Sequence, residues 1–334
     1  MPGLDRELTA DEFFNELVGH LSVVAGVSNA IGFCFSYPAE ISPNCDGRLL
    51  YWTKEVKAPQ VVGQYIGANM AARMQAGSGR KTITILNDTI ATLLAGKSAG
   101  RTRQYESFVG FILGTGTNTA YIERNANITK RHDLEPAGAQ PINVESGNFG
   151  RCPRGDLDEA FDRTTLQPGH HTFEKMISGG YLGGLALHVL KAAADEGVLL
   201  APAGDVVRGL AELSTIDMDK FAANPFGPGP LADHAIAATD RARMLRLCFA
   251  LAERASLLAA VNISAAVLKS GAGKNPLHPV CVNIDGSTFY KTYRMKSLVE
   301  GHLRRILGAR GVYVDLIHVE EAPLIGAAVA GLTR

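Results

Sequence analysis

Short runs rich in β-branched and aromatic residues alternate along this chain with longer stretches of helical apolar spacing, which restricts it to a mixed α/β fold. Thr9 and Glu12 have capping-box spacing, and Phe13, Phe14, Leu17, Val18 and Leu21 follow at helical intervals. Residues 31–36 read as a strand. Residues 38–58, with prolines, Asp46-Gly47 and Trp52, read as a long structured loop, and about 60–75 as a helix. A strand at Thr82–Leu86 ends in Asn87-Asp88, and a helix starts at Thr89. Strands at Phe108–Leu113 and Asn118–Ile122 flank the turn Gly114-Thr115-Gly116-Thr117. From about 155 to 272 the pattern is mainly helical, broken by a loop at Asn224–Pro230. A strand at Pro279–Ile284 then runs into Asp285-Gly286-Ser287. A helix around 294–308, a strand at Gly311–Val319 and a helix from Pro323 complete the pattern, with no short-period repeat.

Bulk properties narrow the partners. Lys plus Arg (33) equals Asp plus Glu (33), so no overall field favours polyanions or anionic lipid, and neither nucleic acid nor a membrane is expected as partner. No basic segment followed by an apolar run opens the chain, and no apolar stretch reaches bilayer length. The cysteines (Cys34, Cys45, Cys152, Cys248, Cys281) are odd in number and never spaced CxxC, which reads as free thiols in a cytoplasmic protein.

Two nucleotide motifs are decoys. Gly114-Thr-Gly116-Thr-Asn-Thr119 approximates GxGxxG, but the third position is Thr and a strand, not a helix, follows. Gly96-Lys97-Ser98 has a P-loop tail, yet Ala91 stands where the first glycine is required.

Other residues carry chemistry of their own. Asp88, at the carboxyl end of a strand, has the position of a general base for a substrate hydroxyl, or simply of a helix cap. The Gly114–Thr117 turn offers close backbone N–H groups and two hydroxyls to an anion, or is a plain glycine-rich hairpin. Glu145, before a glycine-flanked turn, stands where a carboxylate could be partly buried, and Glu174 opens a helix whose dipole favours its charge. Ionised carboxylates can each hold a pair of sugar hydroxyls, although a surface charge and a first-turn helix residue are the plain alternatives.

Read in order, these segments resemble the hexokinase and glucokinase family. The matches are Phe33-Cys-Phe-Ser-Tyr-Pro38, Tyr51-Trp-Thr-Lys54 with Lys57, Leu86-Asn-Asp-Thr89 and Leu113-Gly-Thr-Gly-Thr-Asn118. They continue with Asn143-Val-Glu-Ser-Gly-Asn-Phe-Gly150, Phe173-Glu-Lys-Met-Ile-Ser-Gly179 and Ile284-Asp-Gly-Ser287, spanning the chain from about residue 10 to its end. The resemblance implies a two-lobed actin-like ATPase (ribonuclease H-like) sugar-kinase fold, N-terminally incomplete. A small lobe would comprise 1–86, joined by a returning helix at about 322–334, and a large lobe 87–321. It implies a hexose, glucose first, bound by Ser36, Thr53, Lys54, Asn87, Asp88, Asn118, Glu145 and Glu174. Asp88 would be the base for the 6-hydroxyl, with Lys54 the second catalytic group. ATP would lie against Gly114, Thr115, Gly116, Thr117, Asp285, Gly286 and Ser287, with Mg2+ carried on its phosphates and no metal ligand from the chain.

The sequence departs from the family in places. Nothing before Thr9 supplies the Asp-Gly-Gly-Thr of the family's first phosphate loop, and losing half of a phosphate clamp should be costly. Either Met1 is internal to a longer reading frame, the preferred explanation, or the chain is a catalytically impaired hexose-binding or regulatory relative. As a third course, another chain supplies the strands; a homo-oligomer is also open. Near Glu320–Gly326 the family's glycine-rich nucleotide turn is only partly matched, and Ser146 replaces an aromatic beside the sugar-binding glutamate.

Overall fold

The computed structural model describes residues 2–52, 56–78, 80–100 and 103–333, without the side chains of 22, 24, 25 and 75–78. Contacts divide the chain into two compact units, residues 1–102 with 318–334, and residues 103–317. The sequence-based cut at 86/87 falls one strand–helix junction earlier, because the helix after residue 87 packs within the first unit.

In the first unit, α1 (Ala10–Ala25) begins at a reciprocal capping box. Thr9 N–H donates to Glu12 Oε2 (2.8 Å), and Glu12 N–H donates to Thr9 Oγ1 (3.3 Å). The buried face of α1, including Phe13, Phe14 and Leu17, packs in a core with Phe35, Leu49, Ile66, Met70 and Ile85. Strand β1 (Ala30–Cys34) precedes a small hairpin, β2 (Ala39–Ile41) and β3 (Gly47–Leu49), inside the segment expected to be loop. Helix α2 runs Ile66–Ser78, later than expected. Its start is set from outside: the buried Asp46 carboxylate accepts the N–H groups of Gly67 (2.6 Å) and Ala68 (2.9 Å), while Pro59–Val61 forms only a 3-10 turn. Strand β4 (Thr82–Leu86) pairs parallel to β1, with Cys34 opposite Leu86, and α3 (Asp88–Ala99) follows.

The second unit is built on a five-stranded sheet. Strands β5 (Ser107–Leu113), β6 (Thr117–Arg124) and β7 (Ala139–Asn143) form an antiparallel meander. Its last strand is absent from the sequence-based pattern, because Pro141 and the polar Gln140 and Asn143 suit only a sheet edge. The helical stretch resolves into α4 (Asp156–Thr164), the single turn α5 (Glu174–Ile177), α6 (Leu182–Asp195), α7 (Ala203–Gly209), α8 (Thr215–Ala223) and α9 (Ala238–Ser270). Strand β8 (Val280–Asp285) adds parallel to β5. The short α10 (Ser287–Lys291) and α11 (Met295–Gly308) then lead to β9 (Val314–Ile317), parallel to β8. The sheet order is β7-β6-β5-β8-β9. Val109, Phe111, Val282 and Ile284 pack with Ala255, Ala259, Ile263 and Val267 of α9 in one core.

Helix α12 (Ala322–Leu332) belongs to the first unit. It lies so close to β1 and α3 that glycine is required: a Cβ on Gly32 would fall 1.6 Å from the Ala327 carbonyl oxygen, and one on Gly326 would fall 1.8 Å from that of Ala91. Among the described residues, no helix is long and apolar enough to cross a membrane. The five cysteines are free.

Candidate active site

Each unit carries its own set of the residues singled out from the sequence. In the first, Ser36, Asn87 and Asp88 follow the carboxyl ends of the paired strands β1 and β4, while Thr53 and Lys54 lie outside the described residues. Both readings of Asp88 have a physical basis here. Asn87 is the N-cap of α3, its Oδ1 accepting the Thr89 N–H at 2.8 Å, and Asp88 Oδ1 shares that N–H, also at 2.8 Å. Asp88 Oδ2 has no partner among the described residues. One oxygen therefore fixes the half-buried carboxylate at the positive end of the helix, and the other stays open. Burial, reinforced by the Asp88 charge, pushes the neighbouring Cys34 thiol up to about 11, so Cys34 stays protonated near neutrality.

In the second unit, β6 and β7 bring Asn118, Asn143 and Glu145 together. Ala120 lies opposite Asn143, so the side chains just beyond that pair meet. Asn118 Nδ2 donates to Asn143 Oδ1 (2.8 Å) and to Glu145 Oε1 (3.2 Å), and Asn143 Nδ2 donates to the same Glu145 oxygen (2.8 Å). Glu145 is exposed rather than partly buried, with φ 53°. That left-handed backbone costs a non-glycine residue about 1–3 kcal/mol and must be held by its surroundings. Its Oε2 has no partner among the described residues. A carboxylate pinned through one oxygen and open at the other is suited to accept from a polyol. Asn143, which the site assignment left out, could have been found from its i, i+2 relation to Glu145 had β7 been recognised.

Glu174 binds the hairpin turn to α5. Its Oε2 accepts the Thr117 N–H at 2.8 Å, and a Cβ on Gly116 or Gly147 would lie 2.6 or 3.1 Å from that oxygen. Because α5 is a single turn, this N–H, not a helix dipole, supports the carboxylate. The turn itself is braced by Gly179 N–H on the Gly114 carbonyl, Gly180 N–H on the Thr115 carbonyl and Thr288 Oγ1–H on the Gly114 carbonyl. Among the described residues, the N–H groups of Thr115 and Gly116 take no partner, leaving two donors at the apex. The Thr117 hydroxyl, expected to point at an anion, instead donates to the Ile112 carbonyl (2.9 Å), because Thr117 starts β6 and is buried. Asp285-Gly286-Ser287 lies against this turn: Asp285 Oδ1 accepts the Gly286 N–H (2.8 Å), and the Gly286 Cα packs near Gly114 at φ 116°.

One family model described as hexokinase matches residues 108–333, and another of the same description matches residues 9–98. The chain belongs to the hexokinase family. It is 32% identical over 327 residues to Hexokinase-9 of Oryza sativa subsp. japonica, an alignment covering 91% of this chain and 63% of that protein. The chain thus spans less than two thirds of that curated relative. Among solved structures, a hexokinase is 27% identical with a TM-score of 0.78, covering 99% of this chain and 75% of its own. A Schistosoma mansoni hexokinase complexed with glucose gives a TM-score of 0.75 at 24% identity, covering 100% of this chain and 78% of its own. The mixed α/β sugar-kinase fold expected from the sequence is the one these matches share. The Phe33–Pro38, Leu86–Thr89, Asn143–Gly150 and Ile284–Ser287 motifs begin at strand ends, Leu113–Asn118 spans the hairpin turn, and Phe173–Gly179 contains α5.

Proposed function

We propose that this chain carries the sugar- and phosphate-binding machinery of an ATP-dependent hexokinase, which transfers the terminal phosphoryl group of ATP to the 6-hydroxyl of a hexose, glucose first. The observation that carries the reading is the Asn118–Asn143–Glu145 cluster, whose half-satisfied carboxylate offers an acceptor for sugar hydroxyls. Asn118, Glu145 and Glu174 would hold the ring hydroxyls, and Ser36, Thr53, Lys54 and Asn87 would add contacts. Asp88 Oδ2 would accept the 6-hydroxyl proton as that oxygen bonds to phosphorus and the bond to the bridging oxygen of ADP breaks. The open N–H groups of Thr115 and Gly116 would take phosphate oxygens, Asp285-Gly286-Ser287 the nucleoside side, and Mg2+ would travel on the phosphates. A coupled assay for hexose 6-phosphate, beside calorimetry with glucose, tests the reading. Asp88→Ala should abolish turnover and keep sugar binding; retained turnover would remove Asp88 from its role. Sugar binding without turnover by the parent chain supplied with ATP and Mg2+ would make the chain a hexose-binding relative.

A further inference from the structure

A hydroxyl pair beneath Glu145 ties the proposed sugar site to the long helix α9. Asn262 Nδ2 donates to Ser146 Oγ at 3.0 Å, and Ser146 Oγ shares a hydrogen bond with Thr119 Oγ1 at 3.1 Å. Ser146 and Thr119 are buried, at 6% and 0% exposure. Their backbone N–H groups converge on one acceptor, Asn118 Oδ1, from Ser146 at 3.3 Å and from Thr119 at 2.7 Å. The Asn118 amide oxygen is therefore held by two residues whose hydroxyls are bonded to each other, which leaves its Nδ2 facing Glu145 and Asn143. Glu145, in its left-handed conformation, immediately precedes Ser146, so whatever fixes Ser146 also fixes that turn.

We propose that Asn262 is a positioning residue for hexose binding, acting through the Ser146 hydroxyl on the orientation of Asn118 and Glu145. The proposal rests on the hexose reading above. Removing the Asn262 amide leaves a buried hydroxyl without its donor, and the Ser146 N–H and the Glu145 turn lose their lateral support. Glu145 and Asn118 would contact hydroxyls that do not react, so the loss falls on binding common to ground state and transition state. KM should rise while kcat holds.

The test is glucose affinity of the full chain by calorimetry, with steady-state kinetics beside it. Asn262→Ala and Ser146→Ala should each weaken binding roughly three- to tenfold. The double variant should lose no more than one of them, because both delete the same link. Asn262→Asp, whose carboxylate can accept the Ser146 hydroxyl hydrogen, should recover most of the affinity. Unfolding midpoints without sugar report folding, and if Asn262→Ala does not fold, Ser146→Ala, which removes a single oxygen, carries the comparison. Undiminished affinity in Asn262→Ala, or losses that multiply in the double variant, overturns the proposal. A parent chain that binds no hexose overturns the functional reading and this inference with it.

Discussion

Replacing Gly116 with alanine puts a methyl group where the Glu174 carboxylate lies. The new Cβ would sit 2.6 Å from Oε2 and 3.3 Å from Cδ of Glu174, and no positive φ forbids alanine at this position. The backbone can therefore stay while the far end of a side chain retreats. Retreat breaks the 2.8 Å bond from the Thr117 N–H and takes the carboxylate away from the position proposed to meet the sugar. The stability cost should be small, because Glu174 is half-exposed and water replaces the lost partner. The affinity cost should be larger: a hydrogen bond to a charged group contributes about 1.5–3 kcal/mol, which makes hexose binding roughly ten- to 150-fold weaker. Calorimetry of Gly116→Ala, Glu174→Ala and the double variant separates the causes. If the methyl acts only by displacing the carboxylate, the double variant binds like Glu174→Ala alone. Gly116→Ala binding as tightly as the parent, or adding a further loss to Glu174→Ala, would refute the reasoning.

Gly326→Ala should destabilise the first unit by about 3 kcal/mol or more in chemical denaturation, because its Cβ meets backbone at Ala91. Gly301→Ala in α11, with nothing within 4 Å of the new Cβ, should instead be neutral or stabilising by up to about 1 kcal/mol. Lys175→Met removes the buried ammonium partner of Asp162, leaving that carboxylate only the Gly169 N–H and the Arg154 charge, and should cost about 3 kcal/mol at neutral pH. Burial alone would raise the Asp162 pKa, but the Lys175 ammonium, the Gly169 N–H and the Arg154 charge together hold it below the ordinary range. The parent therefore keeps this contribution above the ordinary carboxyl range and loses it as pH falls through the lowered value. The gap between parent and variant in urea melts should narrow as pH drops through about 4, and a gap independent of pH would exclude the ion pair as its cause.

Several features of this protein were legible in the sequence because they depend on near neighbours. The Thr9–Glu12 capping box forms as its spacing requires, since each side chain reaches only three residues along the chain. Strands at Thr82–Leu86 and Phe108–Leu113 follow their β-branched and aromatic runs, and Gly114–Thr117 turns between strands because small residues permit it. The ordered motifs point to the family for the same reason: each is a short segment whose wording survives without its surroundings.

What the tertiary structure decided is how distant segments meet. The start of α2 moved to Ile66 because Asp46, 21 residues before Gly67, caps it. The dipole expected to support Glu174 gave way to an N–H 57 residues away, and it is that same carboxylate that a side chain at 116 would meet. Asn143 joined Asn118 and Glu145 only through the β6–β7 register, and Asn262 met Ser146 across 116 residues through the packing of α9 on the sheet. Backbone preference and apolar periodicity are set by adjacent residues and can be read in order. The partner of a carboxylate or a buried hydroxyl is set by strand register and close packing, which no local run of residues specifies.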